Sequence, residues 1–177
     1  MEDPFDLLGL DPSFQLDKEL VEERHLRLSR ALHPDRHATA PALQRRQALG
    51  RAIQVNQAYR VLRDPIARAE ALLRRLGVET GEAAQPKADM AFLMDMVDRR
   101  EALASAKQAK DVERVTDLEG EVRALYDTLV VDLGESFAHA LATPGHVPGD
   151  ALRQKVGELR FCARFLEEVR HIRDELD

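Results

Sequence analysis

Apolar residues recur along this chain at intervals of three and four, and stretches alternating polar with β-branched residues are missing. That spacing lines one face of a helix and predicts an all-α fold. Asp3-Pro4 reads as a helix cap followed by proline at the first helical position, and Gly9 stops that short helix. Asp17 caps a second helix whose core face is Val21, His25, Leu28 and Leu32 and which ends at His33-Pro34. Thr39 and Pro41 open a third, with Ala48, Ala52, Val55, Tyr59 and Leu62 on its buried stripe. Asp64-Pro65 closes it and starts a fourth, which runs through Ala69, Leu72 and Leu73 to Gly77.

The pattern then lapses. Residues 77–88, GVETGEAAQPKA, hold two glycines and a proline with little apolar content, and read as a linker between residues 1–76 and residues 89–177. Three long amphipathic patterns come next. One spans about 89–106, and one about 111–142, with Val115, Leu118, Val122, Leu125, Leu129, Leu133 and Phe137 on a face. The loop TPGHVPG interrupts, and the last pattern runs from about 149 to the end with Leu152, Val156, Leu159, Leu166 and Val169. Three such helices with short connections predict an antiparallel three-helix bundle. No internal repeat is visible.

Composition narrows the function classes. With 44% hydrophobic and 33% charged residues, the 177-residue chain is of a soluble, foldable kind. The N-terminus, MEDPFDLLGL, has no basic segment and no long apolar core of a signal peptide, and no apolar run approaches the ~20 residues of a spanning helix. The expectation is a cytoplasmic protein without a membrane partner. The single cysteine, Cys162, excludes an internal disulfide or a cysteine-based zinc or iron–sulfur site within one chain. Net charge is −6, unevenly spread: residues 1–75 carry thirteen Lys and Arg against eleven Asp and Glu, and residues 76–177 carry thirteen against twenty-one. An acidic second half argues against nucleic acid as its partner. No glycine-rich phosphate loop, nucleophile motif or paired-carboxylate site is present, so a non-enzymatic protein without a cofactor is expected.

The stretch ALHPDRHA, residues 31–38, places His33, Pro34 and Asp35 between two helical patterns. Taken alone, it is a helix stop and a turn, because proline ends helices and aspartate caps the next segment. His33 and His37, four apart, also raise a metal site and with it a metalloenzyme, but Pro34 breaks the helix that would align them and no third ligand lies nearby. Context offers a third reading. A short helix, a longer helix with exposed arginines, an HPD turn and a partner helix together resemble the J-domain of DnaJ-like co-chaperones. The resemblance implies that this loop and the basic face before it dock on a DnaK-type ATPase chaperone and stimulate ATP hydrolysis. Pro34 would fix the loop, and Asp35 would make a charge-assisted bond to an arginine of the partner. Arg24, Arg27 and Arg30 would steer the helix to an acidic surface, and Arg36 stands where the family often has a lysine.

The remainder of the chain sharpens the match. VNQAYRVLRDPIARAEALL (55–73), AFLMDMVDRREAL (91–103), QAKD (108–111) and LRF (159–161) resemble the HscB family, the specialised J-domain co-chaperones of iron–sulfur cluster assembly. The resemblance implies an L-shaped pair of an N-terminal J-domain and a C-terminal three-helix bundle. It also implies that the bundle brings an IscU-like scaffold protein to an HscA-type chaperone. A general J-domain co-chaperone serving other clients is the alternative.

Periodicity separately marks a surface on the first bundle helix. At about 100° per residue, with Phe92 at zero, Met96 and Leu103 fall within about 40° and form a buried stripe. Leu93, Val97 and Met94 lie at about 100°, 140° and 200°, too far round for one bundle to bury them all. Phe161 likewise points away from the face of Leu152, Val156, Leu159 and Leu166. Exposed apolar surface of this kind suits a protein partner, although Leu93 and Val97 are core if the helix is enclosed further. The family resemblance implies that Leu93, Met94, Val97 and Phe161 bind the scaffold, with Asp98, Arg100 and Glu101 as charged neighbours. Arg99 sits close to the buried stripe, so its stem has to snorkel. His25 reads as an edge-of-core histidine, Tyr59 as core with its hydroxyl at the rim, and Cys162 as a buried small hydrophobe.

Overall fold

Aspartates start five of the helices. The computed structural model describes residues 2–80, 89–143, 145 and 147–176, and within them every regular element is helical. These are α1 (Pro4–Leu8), α2 (Lys18–Ala31), a 3-10 turn (Pro34–His37), α3 (Ala42–Arg63), α4 (Pro65–Arg75), α5 (Met90–Ala109), α6 (Val112–Ala142) and α7 (Gly149–Leu176). The side chains of Asp3, Asp17, Asp64, Asp89 and Asp111 each accept a backbone N–H of the helix they precede, at 2.7–3.0 Å for the shortest bond of each. Those N–H groups have no partner inside the helix, so each cap contributes about 1 kcal/mol. Asp64 ends α3 and caps α4, with Pro65 in the first turn where no N–H is needed. Gly9 closes α1 at φ 65°, a left-handed conformation that suits glycine.

The chain divides into two units, Met1–Gly77 and Val78–Asp177. In the first, α2 and α3 form an antiparallel hairpin and α1 packs on α3. Phe5, Leu8, Phe14, Val55, Leu62, Ala69 and Leu72 make the core. The Arg68 guanidinium lies 5.0 Å from the centre of the Phe14 ring and donates to the Leu62 carbonyl at 2.7 Å. Arg75 donates to Asp3 and Asp6 at 2.8 and 3.1 Å, tying α4 to α1; the bond to Asp3 is the main reason its pKa is raised further.

The second unit is an up-down-up bundle. Leu103 of α5, Val115, Leu118, Val122, Leu133 and Phe137 of α6, and Leu152, Leu159, Phe165 and Val169 of α7 are almost fully buried. Direct pairs fix the register of α5 and α7. Phe92 meets Phe161, Arg100 meets Glu168 and Lys107 meets Glu175, at separations of 69, 68 and 68 positions. A constant offset means the two helices run parallel. The antiparallel α6 is tied to α7 by Lys155 donating to Ser136 at 3.0 Å and Arg173 to Glu119 at 2.8 Å.

Three details depart from the sequence expectation. On α2 only Val21 is buried, while His25, Leu28 and Leu32 are half-buried, because α3 covers this outer helix from one side. Thr39 does not cap α3; Pro41 stands at that position and no side chain takes the free N–H groups. Leu125 is half-buried. Of the expected linker, 81–88 lies outside the described residues, as do Pro144 and His146 of the loop before α7.

Two substitutions probe these contributions. Asp64→Ala removes a 2.7 Å cap and is expected to cost about 1 kcal/mol in urea denaturation monitored by circular dichroism. Leu133→Ala opens a cavity at a fully buried position in α6 and is expected to cost about 2–5 kcal/mol in the same measurement.

Candidate functional site

The corner after α2 is built mainly by its own backbone. His33 is extended, at φ −59° and ψ 134°, as a residue before proline must be. Its carbonyl accepts the Arg36 N–H at 3.0 Å, and its ring Nδ1 lies 3.3 Å from the Asp35 N–H. The His37 carbonyl accepts the Ala40 N–H at 3.0 Å. Two side chains brace the turn: the His37 Nε2–H donates to the Ala31 carbonyl at 3.1 Å, and Arg45 donates to the Ala38 carbonyl at 3.3 Å. The Asp35 side chain takes no part in holding the backbone. It is 90% exposed, with the His33 ring 3.5 Å away.

Behind the corner, His25 joins α2 to α3. Its ring stacks on Tyr59 at 4.1 Å and 12°, and its Nε2 lies 2.8 Å from Asn56 Oδ1 and 3.2 Å from Ser29 Oγ. It is the edge-of-core histidine that its position on α2 predicts. Arg27, Arg30 and Arg36 are exposed and, among the described residues, form no ion pair; Arg24 is half-buried. The exposed end of α2 and the turn after it thus carry unpaired cations in the same stretch of chain as the exposed Asp35 carboxylate. The rings of His33 and His37 are engaged with the turn, and among the described residues no three His, Cys, Asp or Glu side chains converge as a metal site.

The second candidate surface lies in the bundle. Met96, Leu103 and Ala106 form the buried stripe of α5, whereas Met94 and Val97 are 62% and 54% exposed. Met90, at 70%, belongs to the same exposed stripe. The three residues fall at i, i+4 and i+7, a spacing visible in the sequence once the count starts at Met90 rather than Phe92. Leu93 is half-buried. Phe161 does not protrude: it is half-buried, its ring edge-on to Phe92 with centroids 6.2 Å apart. Phe92 lies on the line of the buried stripe and Phe161 off the core face of α7, and together they close the apolar end of the α5/α7 seam. Asp98 and Glu101 are exposed, and Arg100 reaches Glu168 of α7 at 3.6 Å.

Arg99 behaves as its register requires. Its stem is covered, and its guanidinium pairs with Asp95 and, at 3.5 Å, with Glu121. Cys162 is fully buried behind it. Burial pushes the thiol up to about 11, against the opposing pull of Arg99, and so keeps it protonated and inert. No helix among the described residues is long and apolar enough to cross a membrane.

Comparison with known proteins places both units. Residues 3–71 match the family model described as DnaJ domain, and residues 88–170 the one described as HSCB C-terminal oligomerisation domain. The co-chaperone protein HscB homolog of Aeromonas hydrophila is 38% identical, over 97% of this chain and 96% of its own length. That of Neisseria meningitidis serogroup A is 31% identical, over 96% and 98%. Among solved structures, chaperone HscB from Vibrio cholerae superposes with a TM-score of 0.84 at 31% identity, covering 99% of both chains. Human co-chaperone protein HscB has the same fold, with a TM-score of 0.84 at 22% identity over 96% of this chain and 81% of its own. With both halves matched in order and relatives above 30% identity across nearly the whole length, the chain belongs to the HscB family of J-domain co-chaperones.

Proposed function

We propose that this chain couples an iron–sulfur scaffold protein of the IscU type to an ATPase chaperone of the HscA/DnaK type, and stimulates that chaperone's ATP hydrolysis. Residues 1–76 act as the J-domain, 77–88 as linker, and 89–177 as the scaffold-binding bundle. The observation that carries this reading is the Asp35 carboxylate, almost wholly exposed on a turn that holds itself together without it. Such a group is available for a charge-assisted bond to an arginine of a partner. The cations Arg24, Arg27 and Arg30 along α2 and Arg36 in the turn add a positive field that speeds approach to an acidic surface.

The exposed methionines and valine of α5 support the scaffold-binding half of this reading. Met94 and Val97, with Leu93 next to them on α5, Phe161 on α7 at the end of the seam, and Asp98, Arg100 and Glu101 on the following turn of α5, make an apolar centre with a charged rim, the ordinary anatomy of a protein interface. Carrying the client and the activating loop in one polypeptide raises the client's effective concentration at the chaperone. No metal, nucleotide or covalent step of the chain's own enters this mechanism, and its setting is the cytoplasm.

Steady-state ATP hydrolysis by a purified HscA-type chaperone tests the reading. Chain and scaffold together are expected to stimulate far more than either alone; stimulation by the chain that the scaffold does not enhance points to a general J-domain co-chaperone. Asp35→Asn is expected to abolish stimulation with an unchanged helical circular dichroism spectrum, and full stimulation by this variant overturns the mechanism. Met94→Ala with Val97→Ala is expected to weaken scaffold binding by about 2–4 kcal/mol in calorimetry. Both side chains are largely exposed, so the thermal midpoint should hold.

A further inference from the structure

The seam between α5 and α7 continues past the apolar stripe. Down α5, the positions in line with Met90, Met94 and Val97 are Glu101 and Ala104. Across from them on α7, Phe161 gives way to Glu168, Ile172 and Glu175. The cross-seam pairs keep the parallel register: Phe92 with Phe161 at the apolar end, then Arg100 with Glu168, then Lys107 with Glu175. Between the last two pairs the surface sinks into an open groove of about 450 Å³. Ala104 and Ile172 line it as its apolar part, and Arg164, Glu167 and His171 stand around it. The depression exists because residue 104 is an alanine, where the same stripe carries methionine and valine further up. Arg164 and Glu167 have no partner among the described residues, whereas Glu168 and Glu175 are engaged across the seam.

We infer that the scaffold's footprint runs on from the Met90–Met94–Val97 stripe into this groove, where one apolar anchor side chain of the scaffold seats against Ala104 and Ile172. The inference rests on the scaffold-binding reading above and extends it by a second pocket. Continuity argues for the same occupant: Ala104 continues the Met90–Met94–Val97 line along α5, one step past the exposed Glu101, and opens into the groove with α7. The chemistry of the groove argues for an anchor of this kind. Exposed Ala104 and almost fully buried Ile172 give it one apolar spot among ionisable side chains, and the free charges of Arg164 and Glu167 form a polar rim of the kind that surrounds an interface anchor.

Filling the groove tests this. Ala104 is exposed in mid-helix, and leucine is a good helix former, so Ala104→Leu is expected to fold normally by circular dichroism and thermal melting. Calorimetric titration of the full-length variant with purified IscU-type scaffold is expected to show a Kd raised about tenfold or more, the scale of losing one anchor. Arg164→Glu is expected to change the salt dependence of that Kd. Wild-type affinity in Ala104→Leu, while Met94→Ala with Val97→Ala still weakens binding, overturns the groove and leaves the scaffold reading standing. No scaffold binding by the wild-type chain removes both. A weaker Ala104→Leu with an unchanged melt supports the groove.

Discussion

A helix in a three-helix bundle can hide about one stripe of its surface, and α5 carries apolar residues on two. Met96, Leu103 and Ala106 take the hidden stripe. That leaves Met90, Met94 and Val97 facing water over about two turns, at a cost of roughly 25 cal/mol for each Å² of apolar surface left uncovered. A solitary exposed leucine on a protein surface needs no explanation; a row at helical spacing does. The rest of the bundle is arranged around the consequence. α7 runs parallel to α5 and brings Phe161 to Phe92, so the apolar end of the seam is closed by an aromatic pair while the row stays uncovered. The polar pairs further along hold the two helices in register without covering the row.

Parallel neighbours need a long return. At about 1.5 Å per residue, α5 spans about 30 Å, α7 about 42 Å and α6 about 46 Å. α6 supplies both the antiparallel partner for each and the passage from the end of one to the start of the other. Its buried face, from Val115 to Phe137, is therefore the spine on which the α5/α7 seam is assembled. The cross-seam ion pairs are exposed and individually worth little to stability. They mark the parallel register of α5 and α7 and stand along a shallow, charged channel between them.

The elements are legible because the signals that set them are local. Asp3-Pro4, Asp17 and Asp64-Pro65 announce helix starts through bonds made within three residues, and the structure has each of them. The buried stripes of α6 and α7 are equally plain, since both helices pack along most of their length. What escapes the pattern is tertiary. Phe161 points off the face of its own helix, and its covering comes from Phe92, sixty-nine residues earlier, which no periodicity within α7 could reveal. The core face of α2 is less buried than its pattern suggests, because the pattern marks a face without saying how much will be laid against it. Met90 escapes for a simpler reason: it stands at the first position of α5, at the edge of the periodic segment, where helix limits are hardest to set.

The corner at His33, Pro34 and Asp35 solves a different problem from the α5 row. There the turn leaves one charge at a defined place, uncommitted to its own structure. Proline fixes the backbone and forgoes a donor that the turn does not require. Backbone carbonyls and the rings of His33 and His37 take the remaining donors or supply them, so the turn is satisfied without the Asp35 carboxylate. An aspartate that capped its own helix, as Asp17 and Asp64 do, would be held by backbone N–H groups and would have to surrender them to bind anything else. Asp35 has no such bond to lose. The same residue type is thus structural at five helix starts and available at the turn, and the difference lies wholly in which N–H groups its carboxylate meets.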